Sequence, residues 1–397
     1  MRKKGNKSSF LSLFCGCGGF DLGFIQAGFK SVGAFDIDPV AVETHRLNLD
    51  CGAVVQDLRS EWDFLSALGG TDVVIAGTPC QGFSTAGKRR FDDPRNHLLI
   101  IAGEIALRIK PKIFIAENVR GVISGQHKQY WERLDALFRS NGYKTRDLLL
   151  NSEQIGLAQT RKRMVKVAWA TLKEWKPIDF MKTGRDLKDA LDNIENAPNH
   201  EIRLLHPKSE LAVIAKKIKP GQKLSNVRGG PRSVHTWDIP EVYGEITNSE
   251  RRVLEIVLRL RRRLRLRPIG DADPVLALDI TKEMGRSSRR EIASLLRKGY
   301  IRRMEHRYDL TNAFNGKFRR LRWDKPSPTV DTRFTNPRYF LHPDEIRGFT
   351  IREAARIQGF PDSFLFTGKE KDQCCLIGNA VPPPLGKWLA ESVKRLL

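Results

Sequence analysis

Long apolar runs are missing from this chain. No stretch of roughly 18 apolar residues occurs among the 397, which argues against a membrane-spanning helix. Cysteine is scarce. Six cysteines in a chain of this length make no disulfide framework, and neither Cys15-x-Cys17 nor the adjacent Cys374-Cys375 has the paired spacing of a zinc site, so no metal is expected. The eight histidines fall at no ligand or triad spacing. A signal peptide is not expected either: Met1-Arg2-Lys3-Lys4-Gly5 is basic, but the apolar stretch behind it is short and broken by Cys15-Gly16-Cys17-Gly18-Gly19. The expected place is therefore the cytoplasm. Internal repeats are absent. Acids are in short supply, 46 against 69 lysines and arginines, giving a formal charge of +23. That imbalance implies attraction to a polyanion, and it is clustered: Arg251, Arg252, Arg259, Arg261, Arg262, Arg263, Arg265 and Arg267 crowd one stretch, and Lys317, Arg319, Arg320 and Arg322 another.

What is present is a core. Hydrophobic content of 40% excludes wholesale disorder, and the length suits one large domain with a smaller one. The first part alternates strand and helix signals. Short apolar runs at 10–14, 32–35, 54–55, 73–77 and 113–116 are separated by helical segments, with two further strands at 143–150 and 164–169. Asp38 is placed as an N-cap with Pro39 at the first helical position. This rhythm predicts a doubly wound parallel α/β sheet. From about 171 to 245 prolines and glycines break the pattern. At 247 a capping box, Thr247-x-x-Glu250, opens a helix. A helix over 275–284, another capped by Ser288 and a hairpin at 301–310 follow, which is either a winged-helix-like module or a helical insertion with a solvated arginine face. The expected organisation is a catalytic domain over 1–175, a recognition region over 176–335 containing that module at 247–312, and a hinge with a C-terminal return over 336–397.

Two loops carry chemistry. Gly16, Gly18 and Gly19 join the first strand to the first helix, where glycine lets backbone approach a ligand. Asp36 ends the second strand, where an acid can bind ribose hydroxyls, and Asp57 follows the third, where it can accept from an adenine amino group. The loop is neither Gly-x-Gly-x-x-Gly nor a Gly-Lys-Ser/Thr phosphate loop, so S-adenosylmethionine, an adenosine without phosphate, fits better than a dinucleotide. Cys80 stands on the loop after the fourth strand and Glu117 at the end of the fifth. In a parallel sheet both would face one crevice. A thiol and a carboxylic acid there suit covalent attack on an electron-poor ring, with the thiol activated by nearby positive charge and the acid kept protonated by burial.

With these motifs in order, the chain resembles the bacterial-type DNA (cytosine-5) methyltransferases. The resemblance covers about residues 9–170 and 320–397. It is carried by Phe14-Cys15-Gly16-Cys17-Gly18-Gly19-Phe20, Gly77-Thr78-Pro79-Cys80-Gln81-Gly82-Phe83-Ser84, Glu117-Asn118-Val119, Gln159-Thr160-Arg161-Lys162-Arg163, Arg352-Glu353-Ala354-Ala355-Arg356 and Gly378-Asn379-Ala380-Val381-Pro382. Cys15 and Cys17 depart from many relatives, which carry other small or apolar residues there. The resemblance implies a Rossmann-like S-adenosylmethionine-dependent sheet with a smaller target-recognition domain and a C-terminal helix returning to the catalytic part. It implies that Cys80 adds to cytosine C6, that Glu117 protonates N3 or shares a proton with it, that Arg163 contacts O2 with Arg161 supporting it, and that Phe14, Asp36, Ile37, Asp57, Pro79, Leu98, Asn379 and Val381 line the cofactor pocket. The segment 84–97 resembles the loop that closes over a flipped base, with Ser84, Lys88, Arg89 and Arg90 on phosphates. The implied partner is double-stranded DNA met by a monomer, with a cognate restriction endonuclease in the same system needing no direct contact. With no long regulatory extension before the catalytic part, a prokaryotic or phage origin is expected. Two rivals remain on the sequence alone: a tRNA cytosine-5 methyltransferase and a catalytically silent DNA-binding regulator.

Overall fold

The computed structural model describes residues 7–59, 62, 68–83, 91–180, 184–227, 229–266 and 272–397. The chain forms two compact units. The first takes Met1–Glu201, Trp323–Arg333 and Thr350–Leu397; the second takes Ile202–Arg322 and Phe334–Phe349.

The first unit is built on strands β1 (Ser9–Leu13), β2 (Lys30–Asp36), β3 (Ala53–Val55), β4 (Val73–Gly77), β5 (Ile113–Val119), β6 (Lys144–Asn151), β7 (Gln159–Thr160) and β8 (Lys162–Trp169). All but β7 form one sheet of order β3-β2-β1-β4-β5-β8-β6. Helices α1 (Gly19–Gln26), α2 (Pro39–Asn48), α3 (Leu98–Ile109) and α4 (Lys128–Ser140) cover it. Strands β4 and β5 open as continuous apolar runs because helices bury both faces: Val73, Val74, Ile75, Ala76 and Ile113, Phe114, Ile115, Ala116 are all fully buried. One expectation is corrected. The sheet is mixed, because β8 runs antiparallel to both β5 and β6. The reason is chain length: the ten residues between Asn151 and Lys162 hold a 3-10 turn and the short β7, too few for a parallel crossover.

Local chemistry starts α2 as expected. The Asp38 carboxylate accepts from the Val40 amide at 2.9 Å, and Pro39 supplies the first helical φ. The strand order reverses at β1 and β4, so the loops after these strands flank a crevice at their carboxyl ends.

The end of the chain closes the first unit. Helix Pro383–Lys394 lies against α1 so closely that a Cβ on Gly23 would stand 2.4 Å from the Lys387 amide nitrogen, and one on Gly386 2.7 Å from the Phe20 carbonyl. Around that contact Phe10, Phe20, Phe24, Leu385, Trp388, Leu389 and Val393 share one core. A chain ending at Lys369 therefore uncovers the sheet face that carries Val73, Ile75, Ile113 and Ile115. Full burial of each large apolar side chain contributes about 1.5–3 kcal/mol, against a whole-domain stability of about 5–15 kcal/mol. Such a truncation is expected to lose cooperative thermal unfolding, and calorimetry checks this.

The sequence assigns 176–201 to the recognition region, but these residues fold with the first unit. Trp175 just before them is buried and donates to the Ser392 carbonyl at 3.0 Å, and the Arg356 guanidinium donates to the carbonyls of Asp192 and Asn193. Conversely, residues 336–349 of the expected return belong to the second unit.

In the second unit, Thr247 and Glu250 form the reciprocal capping box, the Glu250 amide donating to Thr247 Oγ1 at 3.2 Å and the Thr247 amide to Glu250 Oε2 at 2.7 Å. Helix Asn248–Arg263 packs Val253, Leu254, Val257 and Leu260 with Ile280, Ile292, Leu295 and Tyr300 in one core. Two expectations change here. Val275–Leu276 is a strand paired antiparallel with Arg307–Leu310, so the helix is confined to Ala277–Met284. Ser288 does not cap the helix Arg289–Lys298 through its side chain; its buried hydroxyl pairs with Thr281 Oγ1 at 2.8 Å. Val275–Leu276, Ile301–Met304 and Arg307–Leu310 complete a three-stranded antiparallel sheet. Among the described residues no helix is long and apolar enough to cross a membrane.

Candidate active site

The glycine loop is shaped by backbone that only some residues tolerate. Phe14 leaves β1 at φ 56, a left-handed conformation unfavourable for a bulky side chain. Gly16 (φ 54) and Gly18 (φ 92) continue the turn, and the Gly18 amide donates to the Cys15 carbonyl at 3.0 Å. The turn brings the Gly16 amide 2.8 Å from Asp36 Oδ2, while the Asp38 amide donates to Oδ1 at 2.9 Å. Burial raises the Asp36 pKa despite these donors. Gly19 admits the end of the chain: a Cβ there would stand 2.3 Å from the Val381 carbonyl oxygen.

The thiol loop is held at both ends. Asn118 Nδ2 donates to Thr78 Oγ1 at 2.9 Å, and the Phe83 amide donates to the Cys80 carbonyl at 3.0 Å. Phe83 is fully buried beside His127 and Tyr130, with ring centroids 5.7 and 5.8 Å away. A Cβ on Gly82 would meet Asn96 Oδ1 at 2.0 Å. Cys80, between these anchors, stays partly exposed.

Register sets the acid. Gly77 of β4 lies opposite Glu117 of β5, and Glu117 lies opposite Val165 of β8. Arg163 is two residues from Val165, hence on the same face. Its Nε lies 2.8 Å from Glu117 Oε1, and both side chains are about nine-tenths buried. Burial pushes the Glu117 pKa up, although Arg163 and Arg161 pull it down. Burial likewise raises the Cys80 thiol; Arg163 and Arg161 pull its pKa down, as expected of nearby positive charge, but desolvation outweighs them. Arg161 is spent differently from expectation. Its guanidinium donates to the carbonyls of Val330 (2.9 Å), Gly378 (3.2 Å) and Ala380 (2.9 Å), and burial lowers its pKa to about 9. It ties the last turns of the first unit to the wall and adds positive potential.

One cavity of about 460 Å³ takes in most of the expected residues: Phe14, Gly16, Asp36, Ile37, Asp57, Pro79, Leu98, Asn379 and Val381 with Cys80, Glu117, Arg161 and Arg163. Gly18 and Gly19 are not on its wall; their missing side chains make room for His45 and Leu49, and for Val381. Asp57 already pairs with exposed Arg59 at 2.5 Å, which draws its pKa down. Ser84, Lys88, Arg89 and Arg90 lie outside the described residues. Sequence reasoning missed Gln56, Leu58, Arg95, Cys375 and Leu376 of the wall, and Asn118 as the brace of the thiol loop. Only Asn118 left a signal, its place beside Glu117. A second hollow, about 450 Å³ beside the edge strand β6, is lined by Arg139, Lys144, Arg146, Trp169 and Trp175. It holds no thiol, and Arg139 and Lys144 are paired with Asp135 and Glu174.

A Rossmann-like sheet whose switch-point crevice joins a glycine loop and a ribose-type acid to a thiol and a buried carboxyl defines a methyltransferase of the covalent type. The chain belongs to the C-5 cytosine-specific DNA methylase family, whose model matches residues 8–395. It is 30% identical to the Type II methyltransferase M.AgeI of Thalassovita gelatinovora, over 97% of this chain and 98% of that one. It is 31% identical to the Type II methyltransferase M.XorII of Xanthomonas oryzae pv. oryzae, over 98% and 84%. In fold it is similar to a putative DNA modification methyltransferase encoded within a prophage of E. coli, with TM-score 0.60 and 21% identity over 98% of this chain and 99% of that one. The protein is thus an enzyme, a DNA cytosine-5 methyltransferase; the tRNA-directed and silent readings find no such support.

Proposed function

We propose that the crevice binds S-adenosylmethionine beside an extrahelical cytosine and methylates C5 through covalent addition of Cys80. The observation that carries this reading is the convergence of Cys80, Glu117 and Arg163 with Asp36, Ile37 and Asn379 on one cavity. The cofactor fits the residues present. A Cβ on Gly16 would meet nothing within 4 Å, so the loop leaves an open cradle. Asp36 Oδ2 accepts from the Gly16 amide and Oδ1 from the Asp38 amide, and a carboxylate with about four lone-pair sites can accept again from ribose hydroxyls. Ile37, apolar yet 57% exposed, offers a face to an adenine ring. Phe14, Pro79, Leu98 and Val381 would complete that wall, and Asp57 would take the adenine amino group by giving up part of its pairing with Arg59. When bound, the cofactor supplies an electrophilic methyl group.

The chain's own residues do the rest. Cytosine C5 is a poor nucleophile until C6 is saturated. Cys80 adds its sulfur at C6 as the thiolate, and Glu117, whose pKa burial raises, donates a proton to N3 as charge builds on the ring. Arg163 orients Glu117 and offers its remaining N–H groups to O2. Water removes the C5 proton afterwards, Cys80 leaves as the thiolate by elimination, and the N3 proton returns to Glu117. A base inside a duplex is out of reach, so the target must leave the stack at a cost of a few kcal/mol. The second unit, with its winged-helix-like arrangement of three helices and three strands, selects the sequence. Type II relatives support a place in a restriction-modification system; we read the enzyme as a cytoplasmic monomer that needs no direct contact with a separate endonuclease. The purified protein is expected to transfer labelled methyl groups to duplex DNA and not to tRNA; transfer to tRNA alone would sink the reading. Bisulfite sequencing of a plasmid from expressing cells then reads the target.

A further inference from the structure

The arginine run over 251–267 is the most conspicuous basic feature of the sequence, yet several of its members already lie against carboxylates in the fold. Arg259 and Arg263 both pair with Glu283, Arg251 pairs with Asp238, and Arg261 is buried against Asp309. The opposite holds for helix Arg289–Lys298. It buries Ile292 and Leu295 in the core of the second unit and leaves Arg289, Arg290, Ala293 and Arg297 exposed. At 100° per residue these four positions span an arc of about 100°, one face of the helix, with the smallest side chain inside the arc. None of the three arginines has a carboxylate partner among the described residues. The acid nearest in sequence, Glu291, is taken by Arg286 at 2.6 Å. Behind the helix, strands Ile301–Met304 and Arg307–Leu310 form a hairpin whose exposed side chains include Arg303 and His306; Glu305 at its tip has its carbonyl occupied by Arg303 Nε.

We propose that this face, not the arginine-rich helix before it, is the duplex-reading surface: helix Arg289–Lys298 enters the major groove with Ala293 against the bases and its three arginines on base edges and flanking phosphates, while the hairpin rests on the backbone. The proposal rests on the reading of the second unit as the part that selects DNA. Charge decides between the two helices. An arginine that holds or shares a carboxylate releases fewer counterions on meeting phosphate than one with no acidic partner. A small residue inside the basic face lets the helix approach base edges, which a larger one would hold off.

The test uses the full-length enzyme. The triple variant Arg289→Gln/Arg290→Gln/Arg297→Gln is expected to raise KM for duplex DNA at least about tenfold at 0.1 M salt and to flatten the log–log salt dependence by about 2–3. It should leave kcat at saturating DNA and cofactor affinity unchanged. Ala293→Glu keeps all three arginines and a good helix former, and is expected to weaken DNA binding similarly without moving the melting temperature. Arg259→Gln/Arg263→Gln is expected to change KM by less than about twofold. An unchanged KM in the triple variant, an equal loss in the Arg259/Arg263 variant, or loss of tRNA binding with duplex affinity intact would each overturn the proposal. Methylation of duplex DNA by the unaltered enzyme would still stand in all three cases, so failure here is distinguishable from failure of the methyltransferase reading.

Discussion

Cys80→Ser is expected to lower methylation of duplex DNA by at least about three orders of magnitude, the scale on which an enzyme loses a covalent nucleophile. The substitution removes one polarisable sulfur and little volume from a loop held by Asn118, Gly82 and buried Phe83. The fold, the cofactor cradle and DNA binding should therefore survive. The physical reason for the loss is acidity. Burial already raises the thiol pKa, and the positive potential of Arg163 and Arg161 only partly offsets it. A serine hydroxyl in the same place starts several units higher and has no accessible alkoxide near neutral pH. Single-turnover methyl transfer with DNA in excess measures the effect. A serine variant within tenfold of the parent enzyme would remove Cys80 from the mechanism.

Glu117→Gln carries the second large effect, a fall in kcat of about 10²–10⁴-fold, the usual worth of a positioned general acid. Its pH dependence is the sharper readout. Addition needs Cys80 as thiolate and Glu117 as acid together. Burial raises both pKa values, and the ordinary value of a thiol lies far above that of a carboxyl. The productive combination is then a minor protonation state. The rate rises with pH as the thiol ionises, levels between the two macroscopic values, and falls once the thiol is fully ionised and only the loss of the Glu117 proton still counts. Glutamine cannot lose a proton, so the variant's residual rate should climb and level off without an alkaline fall. A persisting alkaline fall in Glu117→Gln would assign the acid to another group.

Much of this site is legible in the sequence because its chemistry sits at strand ends. Apolar runs announce β4 and β5, and the residues that follow or close such runs, Cys80 and Glu117, fall at the crevice whatever else the chain does. Caps are equally local: Asp38-Pro39 and Thr247-x-x-Glu250 act within one helical turn. What depends on partners distant in sequence is not legible. The reversed direction of β8 follows from a short connection, not from residue type. The left-handed backbone at Phe14 is imposed by its surroundings. Arg161 looks like Arg163 in sequence, yet the carbonyls of Val330, Gly378 and Ala380 take its two terminal nitrogens while Arg163 keeps the acid. The same blindness affects charge. A run of arginines reads as a binding surface until Glu283 and Asp309, on other elements, are seen to occupy its most prominent members.

The most direct test of the covalent mechanism is trapping on a duplex whose target cytosine carries fluorine at C5, since elimination cannot then release the enzyme. With S-adenosylmethionine present, mass spectrometry of the digested complex should find one methylated fluorocytosine joined through its C6 to the sulfur of Cys80, and no adduct with Cys80→Ser. Full methylation of an ordinary duplex with no trapped complex on the fluorinated one, or an adduct at Cys15, Cys17 or Cys375, would contradict it.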